Sequence, residues 1–180
     1  QLKSRIANSY AGGFTFPHQI HRTHRSMLDM IKVYLAGGIA EEMVFGVQNA
    51  STGREHDREQ ATTLALEYVR RYGFDPEFQA TYTIEDYASR MDFTVTDADI
   101  EKMMMRLVSE TREMLGQNSH LLMDLARALA AAGSLKTEAV AVLAQQHGLD
   151  VVVKEEGYLH IPNYDQQLMQ PLALRRQYSV

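Results

Sequence analysis

The stretch Leu35–Thr62, LAGGIAEEMVFGVQNASTGREHDREQAT, holds the densest cluster of candidate chemistry in the 180-residue chain. A helical segment rich in small residues carries two adjacent carboxylates, Glu41 and Glu42, and breaks at Gly46. A short polar loop then delivers Asp57 to the start of a second helix. This order predicts that two neighbouring helices share one site.

The first helix is predicted over residues 26–45, because apolar residues recur there at spacings of one, three and four. Its apolar stripe comprises Met27, Leu28, Ile31, Leu35 and Ile39. At about 100° per residue, Glu42 falls near the centre of the stripe and Glu41 at its edge. Because a buried unpaired charge is costly, a cation, a hydrogen-bonding network or a metal-bound histidine is expected to face this helix. The alternative is that both glutamates simply reach solvent at the helix end.

The second helix is predicted over residues 54–72, with Ser51 or Thr52 as its N-cap. Its buried stripe comprises Ala61, Leu64, Ala65, Tyr68, Val69 and Tyr72. Asp57 lies four residues before Ala61, so it is expected to face inward, towards the first helix. The alternative is an aspartate that only complements the helix dipole from the solvent side.

The remaining chain predicts a mainly α fold with minor β structure. Two long helices are expected at 98–117 and 119–132, and a shorter one over 137–147. A short strand is expected near 12–16, and a hairpin near 151–161.

Composition limits the classes of function. Hydrophobic residues make up 45% of the chain and charged residues 23%, which is typical of a soluble globular protein. The net charge of −5 and the scattered basic residues speak against a nucleic-acid partner. The absence of cysteine excludes disulfides and thiolate zinc sites. No segment approaches the ~18 apolar residues of a membrane span, and a start at Gln-Leu-Lys-Ser suggests a piece of a longer protein.

Three histidines, His18, His21 and His24, stand three residues apart in PHQIHRTHR. Ligands at this spacing can share one face of a helix and hold a metal. However, Pro17 and the polar run favour a loop or a helix entrance, and no carboxylate lies nearby. Solvated loop histidines are the alternative interpretation.

Several short blocks follow one another in a characteristic order. They are Gly37–Glu42, Phe45–Gly46, Ser51–Gly53, Asp57, Ala61–Thr62, Ala65, Met114–Leu115, Asn118 and Leu121–Leu122. In this order they resemble the peptidase domain of the FtsH family, the membrane-anchored AAA+ zinc metalloproteases. That family shows a GGRAAEE helix, then FG, a TTGA-x-ND loop opening an AT-x-x-A helix, and a later L-L…N…L-L run. The resemblance covers roughly residues 10–145, and it implies a helical FtsH-type peptidase domain over 1–147 with a C-terminal extension, 148–180.

The resemblance also implies roles for particular residues. Asp57 occupies the aspartate of the ND pair, which is the third zinc ligand. Glu41, the first of the paired glutamates, would orient a metal-bound histidine from outside the ligand set. Gly13, Phe14 and Thr15 correspond to the strand at the rim of the active site, where a peptide substrate could be held by strand addition.

Two family features do not occur in the sequence. The His-Glu-x-x-His helix, which supplies two zinc ligands and the general base, is absent, and so is a Walker A motif. The resemblance therefore implies no catalytic residue in this chain and an isolated chain without activity. Zinc is the implied cofactor, with ATP and magnesium on a separate module of the parent protein. Arg54 and His56 also depart from the family's Ala and Asn.

The function implied by the resemblance is a share in ATP-dependent degradation of protein or peptide substrates by a zinc endopeptidase. The family further implies a homo-oligomer, hexameric in known members, in the cytoplasm or at the cytoplasmic face of the inner membrane. One alternative is a non-catalytic helical interaction or oligomerisation module descended from that peptidase. Another is a self-contained metal binder that uses His18, His21, His24 and Asp57.

Overall fold

The computed structural model of the chain describes residues 2–3, 22–77, 94–154 and 157–169. Helices dominate this part of the chain, and its strands are two residues long. The predicted class, mainly α with minor β, is therefore confirmed. The strand expected near 12–16 lies outside the described residues.

The helices are numbered here along the chain. They are α1 (His24–Phe45), α2 (Glu55–Leu66), α3 (Thr94–Gln117), α4 (Ser119–Ala132), α5 (Thr137–Gln146) and α6 (Tyr164–Met169). Two 3-10 turns, Val47–Asn49 and Thr52–Arg54, connect α1 to α2, and a π-helical segment, Glu67–Arg71, extends α2. The four long helices and the shorter one predicted from periodicity are confirmed close to their expected ends.

The chain forms two compact units, whose boundary falls within α3. The central unit is Gln19–Arg112, and the terminal unit combines Gln1–His18 with Glu113–Val180. The division into a peptidase domain over 1–147 and an extension over 148–180 stays a prediction.

In the central unit, α1 begins with a reciprocal cap. The Thr23 hydroxyl accepts a hydrogen bond from the Ser26 amide, and the Ser26 hydroxyl accepts one from the Thr23 amide, which satisfies two amides of the first turn. The side chains buried along α1 are Met27, Ile31, Leu35 and Ile39. This spacing of four gives α1 a single apolar stripe. Gly46 ends the helix with φ of 84°, a conformation that favours glycine.

The buried stripe of α1 packs against α2 through Ala61, Leu64 and Ala65. Beyond Leu66 the helix widens, because the Tyr72 amide bonds the carbonyl of Glu67, five residues back. The π-helical segment buries three consecutive residues, Tyr68, Val69 and Arg70. A regular helix has one buried stripe, so the widened turn is what lets Arg70 enter the interior beside two core residues.

Helix α3 completes the central unit with Ile100, Met103, Met104 and Leu107 in the core. Its start is tied to the π-helical segment, since the Arg70 guanidinium donates to the Thr96 hydroxyl at 2.8 Å and to the Asp97 carboxylate at 2.6 Å. Further along, Lys32 of α1 pairs with Glu110 at 2.6 Å. These contacts pair the buried guanidinium and hold α3 in place along α1.

The terminal unit has its own apolar core. Leu121 of α4 packs with Ala141 and Ala144 of α5 and with Leu149 and Val151 beyond them. Ile161 and Leu168 also pack against this cluster, so the stretch after residue 147 belongs to the core of the unit.

Two small antiparallel sheets lie in the terminal unit. Strand β1 (Leu2–Lys3) pairs with β2 (Ser134–Leu135), and β3 (Val152–Val153) pairs with β4 (Leu159–His160). The β3–β4 pair confirms the hairpin predicted near 151–161. The β1–β2 pair was not predicted, because two-residue strands carry no periodicity. None of the described helices has the length and apolar character needed to cross a membrane.

The two adjacent glycines of α1 should respond differently to alanine. A Cβ on Gly37 would meet nothing within 4 Å, whereas a Cβ on Gly38 would lie 3.1 Å from Cδ and 3.2 Å from Cβ of Arg54. Gly37→Ala is expected to raise the free energy of unfolding by about 1 kcal/mol, the usual gain in a helix interior. Gly38→Ala should show no such gain in the free energy of unfolding, because the new Cβ would press against Arg54. Urea unfolding of both variants measures this, and equal gains would show that Arg54 does not press on Gly38.

Candidate functional site

The carboxylate of Glu42 joins three parts of the central unit. It accepts hydrogen bonds from Nη1 of Arg54, in the 3-10 turn before α2, and from Nη2 of Arg112, on α3, the latter at 2.6 Å. The Glu42 side chain is only 12% exposed. The sequence predicted that a cation could face this position of the stripe, and two guanidinium groups do so.

These contacts control the ionisation of Glu42. The hydrogen bond from Arg54, followed by that from Arg112, lowers the pKa of the Glu42 carboxyl below its ordinary value, although burial alone would raise it. Both arginines favour the charged form, so the carboxylate stays ionised at neutral pH. The sequence did not decide which partner would compensate the charge of Glu42; in the structure, two salt bridges do so.

Gly38 makes this arrangement possible. The side chain of Arg54 passes over Gly38 of α1 on its way to Glu42, so close that a Cβ at residue 38 would push the arginine side chain outward by a few tenths of an ångström. A cavity of about 50 Å³ beside them is lined by Tyr34, Gly38, Glu42, Arg54 and other residues. The weak helix former at residue 38 thus allows the loop before α2 to approach α1 closely.

Asp57 lies three residues after Arg54, in the first turn of α2. Its side chain is solvent-exposed, whereas Ala61, one turn later, is completely buried. The expectation that Asp57 faces inward is wrong in this respect, because burial of the stripe begins only at Ala61. An acidic residue here complements the helix dipole, and its carboxylate oxygens remain available to a ligand.

The other predicted site residues divide into two groups. Glu41 is half-buried in the last turns of α1, next to Glu42. Within the described part of the chain, Glu41 makes no hydrogen bond or ion pair, in contrast to Glu42. Gly13, Phe14 and Thr15 lie outside the described residues, so their expected part in substrate binding stays a prediction.

His24 has a structural partner. It is the first residue of α1, its Nε2 is hydrogen-bonded to the Tyr68 hydroxyl, and its ring lies against Tyr68 and Phe74. Tyr68 follows Asp57 by eleven residues, a distance of roughly 16 Å along a helix. His24 and Asp57 are therefore too far apart to share one metal ion. His18 and His21 lie outside the described residues.

The described residues fit zinc only in part. Among them, no group of three His, Cys, Asp or Glu side chains is close enough to hold a metal ion. A catalytic zinc site takes three protein ligands and leaves one position for water. The exposed carboxylate of Asp57 can fill one position, so the described residues alone do not form a zinc site.

The arginine partners of Glu42 were not identified from the sequence. The sequence did mark Arg54 as unusual, because the FtsH pattern has alanine at this position. Nothing in the sequence marked Arg112, because 70 residues separate it from Glu42 and local patterns do not predict contacts over that separation.

Comparison with known proteins places the chain in a family. Residues 6–143 match peptidase family M41. The ATP-dependent zinc metalloprotease FtsH of Lachnoclostridium phytofermentans is 30% identical over 133 residues, which cover 71% of this chain and 22% of that protein. The ATP-dependent zinc metalloprotease FtsH of Thermus thermophilus is 33% identical over 115 residues, which cover 58% of this chain and 18% of that protein. The ATP-dependent zinc metalloprotease FTSH 11 of Arabidopsis thaliana is 29% identical over 139 residues, which cover 75% of this chain and 17% of that protein.

The match over most of the chain shows that it belongs to peptidase family M41. Within that family it is an FtsH-type peptidase domain, which confirms the resemblance seen in the sequence. The chain spans about a fifth of the length of the relatives it matches.

The Glu42 salt bridges should make stability depend on pH. Glu42→Gln is expected to lower the free energy of unfolding by about 1–2 kcal/mol at pH 7, since both guanidinium groups are partly exposed. The folded-state pKa of Glu42 is depressed, so this contribution is present above the unfolded-state pKa of about 4.3. It is lost as the pH falls through the lower folded-state value.

Urea unfolding of the unmodified chain and Glu42→Gln between pH 3 and 7 measures this difference. Glu101→Gln, an exposed carboxylate on α3, controls for the loss of a negative charge. A stability difference that stays constant down to pH 3 would contradict the assignment.

Proposed function

We propose that this chain supplies one side of the zinc site of an ATP-dependent, FtsH-like metalloendopeptidase, with Asp57 as the third zinc ligand. The observation that carries the proposal is the exposed Asp57 carboxylate in the first turn of α2, in a chain of family M41. The relatives named above are ATP-dependent zinc metalloproteases, which supports zinc as the metal.

The other zinc ligands and the general base belong to a His-Glu-x-x-His helix elsewhere in the parent protein. Zinc in such a site polarises the peptide carbonyl and activates a water molecule. This chain contributes an anionic oxygen donor from Asp57, held at the start of α2. Glu41 is placed to orient a zinc-bound histidine, since its carboxylate has no other partner among the described residues.

The same proposal covers the wider protein. Its substrates are proteins or peptides, gripped at the rim formed by Gly13, Phe14 and Thr15 through strand addition. ATP and magnesium act on a separate module, and the protein works as a homo-oligomer, hexameric as in its family. It acts in the cytoplasm or at the cytoplasmic face of a membrane that anchors the parent protein.

A second candidate function rests on one observation. The described residues contain no group that could hold a metal by itself. A non-catalytic helical module descended from the peptidase, used for interaction or oligomerisation, would have the same property. Zinc binding by the full-length protein distinguishes the two functions, because the non-catalytic module would bind none at Asp57.

The isolated 180-residue chain should not cleave casein, even with added zinc. Two ligands and the general base are missing from its sequence, so a bound zinc ion would have no tetrahedral protein environment. Release of labelled peptides from casein, with and without a chelator, measures this. Zinc-dependent, chelator-sensitive proteolysis by the pure chain would contradict the expectation.

In the full-length protein with its His-Glu-x-x-His helix, Asp57→Ala should abolish tight zinc binding and peptidase activity. Helical content should stay nearly unchanged, because the Asp57 side chain is exposed. Glu41→Gln should weaken zinc affinity about 10-fold to 100-fold, as changes next to a ligand commonly do. Zinc titration, peptide cleavage and circular dichroism are the measurements.

Glu55→Ala is the matched control, because Glu55 is an exposed carboxylate in the same turn. It should bind zinc like the unmodified protein. If Asp57→Ala still holds stoichiometric zinc and cleaves substrate, the third ligand is another residue, with His56 the first to test.

A further inference from the structure

We propose that Glu42 and Arg54 are a positioning pair that holds the turn bearing Asp57. The inference rests on the proposed role of Asp57 as a zinc ligand. Glu42 then has a structural role that differs from the proposed role of Glu41. Arg54 and Glu42 contact no substrate or metal in this account and act only through Asp57.

The start of α2 lacks an ordinary cap. Its N-cap residue is Arg54, whose side chain makes no capping hydrogen bond to the helix. The preceding 3-10 turn is capped by Ser51, which accepts a hydrogen bond from the Gly53 amide at 3.3 Å. The side chain of Arg54 instead reaches across to α1 and donates to Glu42. The Arg54–Glu42 salt bridge thus ties the start of α2 to α1, which is a contact between helices and not a cap.

The position of Glu42 is itself fixed. Its second carboxylate oxygen accepts from Arg112 of α3, so the carboxylate is held from two sides. The aliphatic part of the Arg54 side chain lies against Gly38, where a Cβ would come within 3.1 Å of its Cδ. An arginine held along its stem and at its guanidinium leaves the backbone at residue 54 little freedom. Asp57 is three residues later in the same rigid helical turn, so its place relative to α1 follows from that of Arg54.

The paired glutamates therefore divide the work. Glu42 is committed to two guanidinium groups, while Glu41 has no partner in the described part of the chain. A residue that orients a metal-bound histidine needs a carboxylate that is not already paired, and Glu41 is unpaired among the described residues. A residue that holds a loop must be paired, as Glu42 is.

Amide hydrogen exchange of the 180-residue chain tests the positioning directly and without metal. Arg54→Ala and Glu42→Gln should each accelerate exchange at residues 56–59 by roughly tenfold. Exchange at the core of α1 and α3 should change much less. Arg58→Ala is the matched control, because Arg58 lines the same cavity but makes no ion pair with Glu42. It should leave the exchange rates unchanged.

The double variant adds a second criterion. If the two residues act as one pair, the combined effect of Arg54→Ala and Glu42→Gln should be no larger than that of either change alone. Unchanged exchange at residues 56–59 in Arg54→Ala, additive effects, or a uniform acceleration throughout the central unit would overturn the proposal.

Zinc affinity of the full-length protein separates this inference from the proposed function. Arg54→Ala should weaken zinc binding about tenfold, within the range seen when a ligand loses its support, and Arg54→Lys should partly restore it. If Arg54→Ala accelerates exchange at residues 56–59 but leaves zinc affinity unchanged, the positioning role is wrong. Undiminished zinc affinity in Asp57→Ala would instead contradict the proposed function, whatever the exchange rates show.

Discussion

The central unit depends on one buried carboxylate. Glu42 sits on the apolar stripe of α1, where an unpaired charge would be strongly destabilising. It is tolerated because Arg54 and Arg112 donate to its two oxygens. These contacts bring the loop before α2 and the C-terminal part of α3 to the same point on α1. The absence of a side chain at Gly38 gives Arg54 the space to reach it.

The sequence was sufficient where structure is local and periodic. The apolar stripe of α1 and the stop at Gly46 each arise within a few residues, so the pattern predicts them directly. The β3–β4 hairpin was predictable for the same reason, since a turn separates two apolar runs. The family was recognisable from the order of short sequence blocks, a match that local periodicity does not provide.

Contacts between distant residues were not predictable from local patterns. The pairing of Glu42 with Arg112 spans 70 residues, and the β1–β2 pairing joins the two chain segments of the terminal unit through two-residue strands. The π-helical segment after α2, in which Arg70 is buried beside Tyr68 and Val69, was likewise not predicted from the spacing of apolar residues. Asp57 shows the limit of periodicity: it continues the stripe in sequence, but no described residue covers it.

We propose that Asp57 directly binds the zinc ion of the full-length peptidase. A structure of the full-length protein with zinc, located by its anomalous scattering, tests this most directly. We expect a carboxylate oxygen of Asp57 at about 2.0–2.2 Å from the metal, beside two histidines of the His-Glu-x-x-His helix. A zinc ion fully coordinated by other residues, with Asp57 left in solvent, would contradict it.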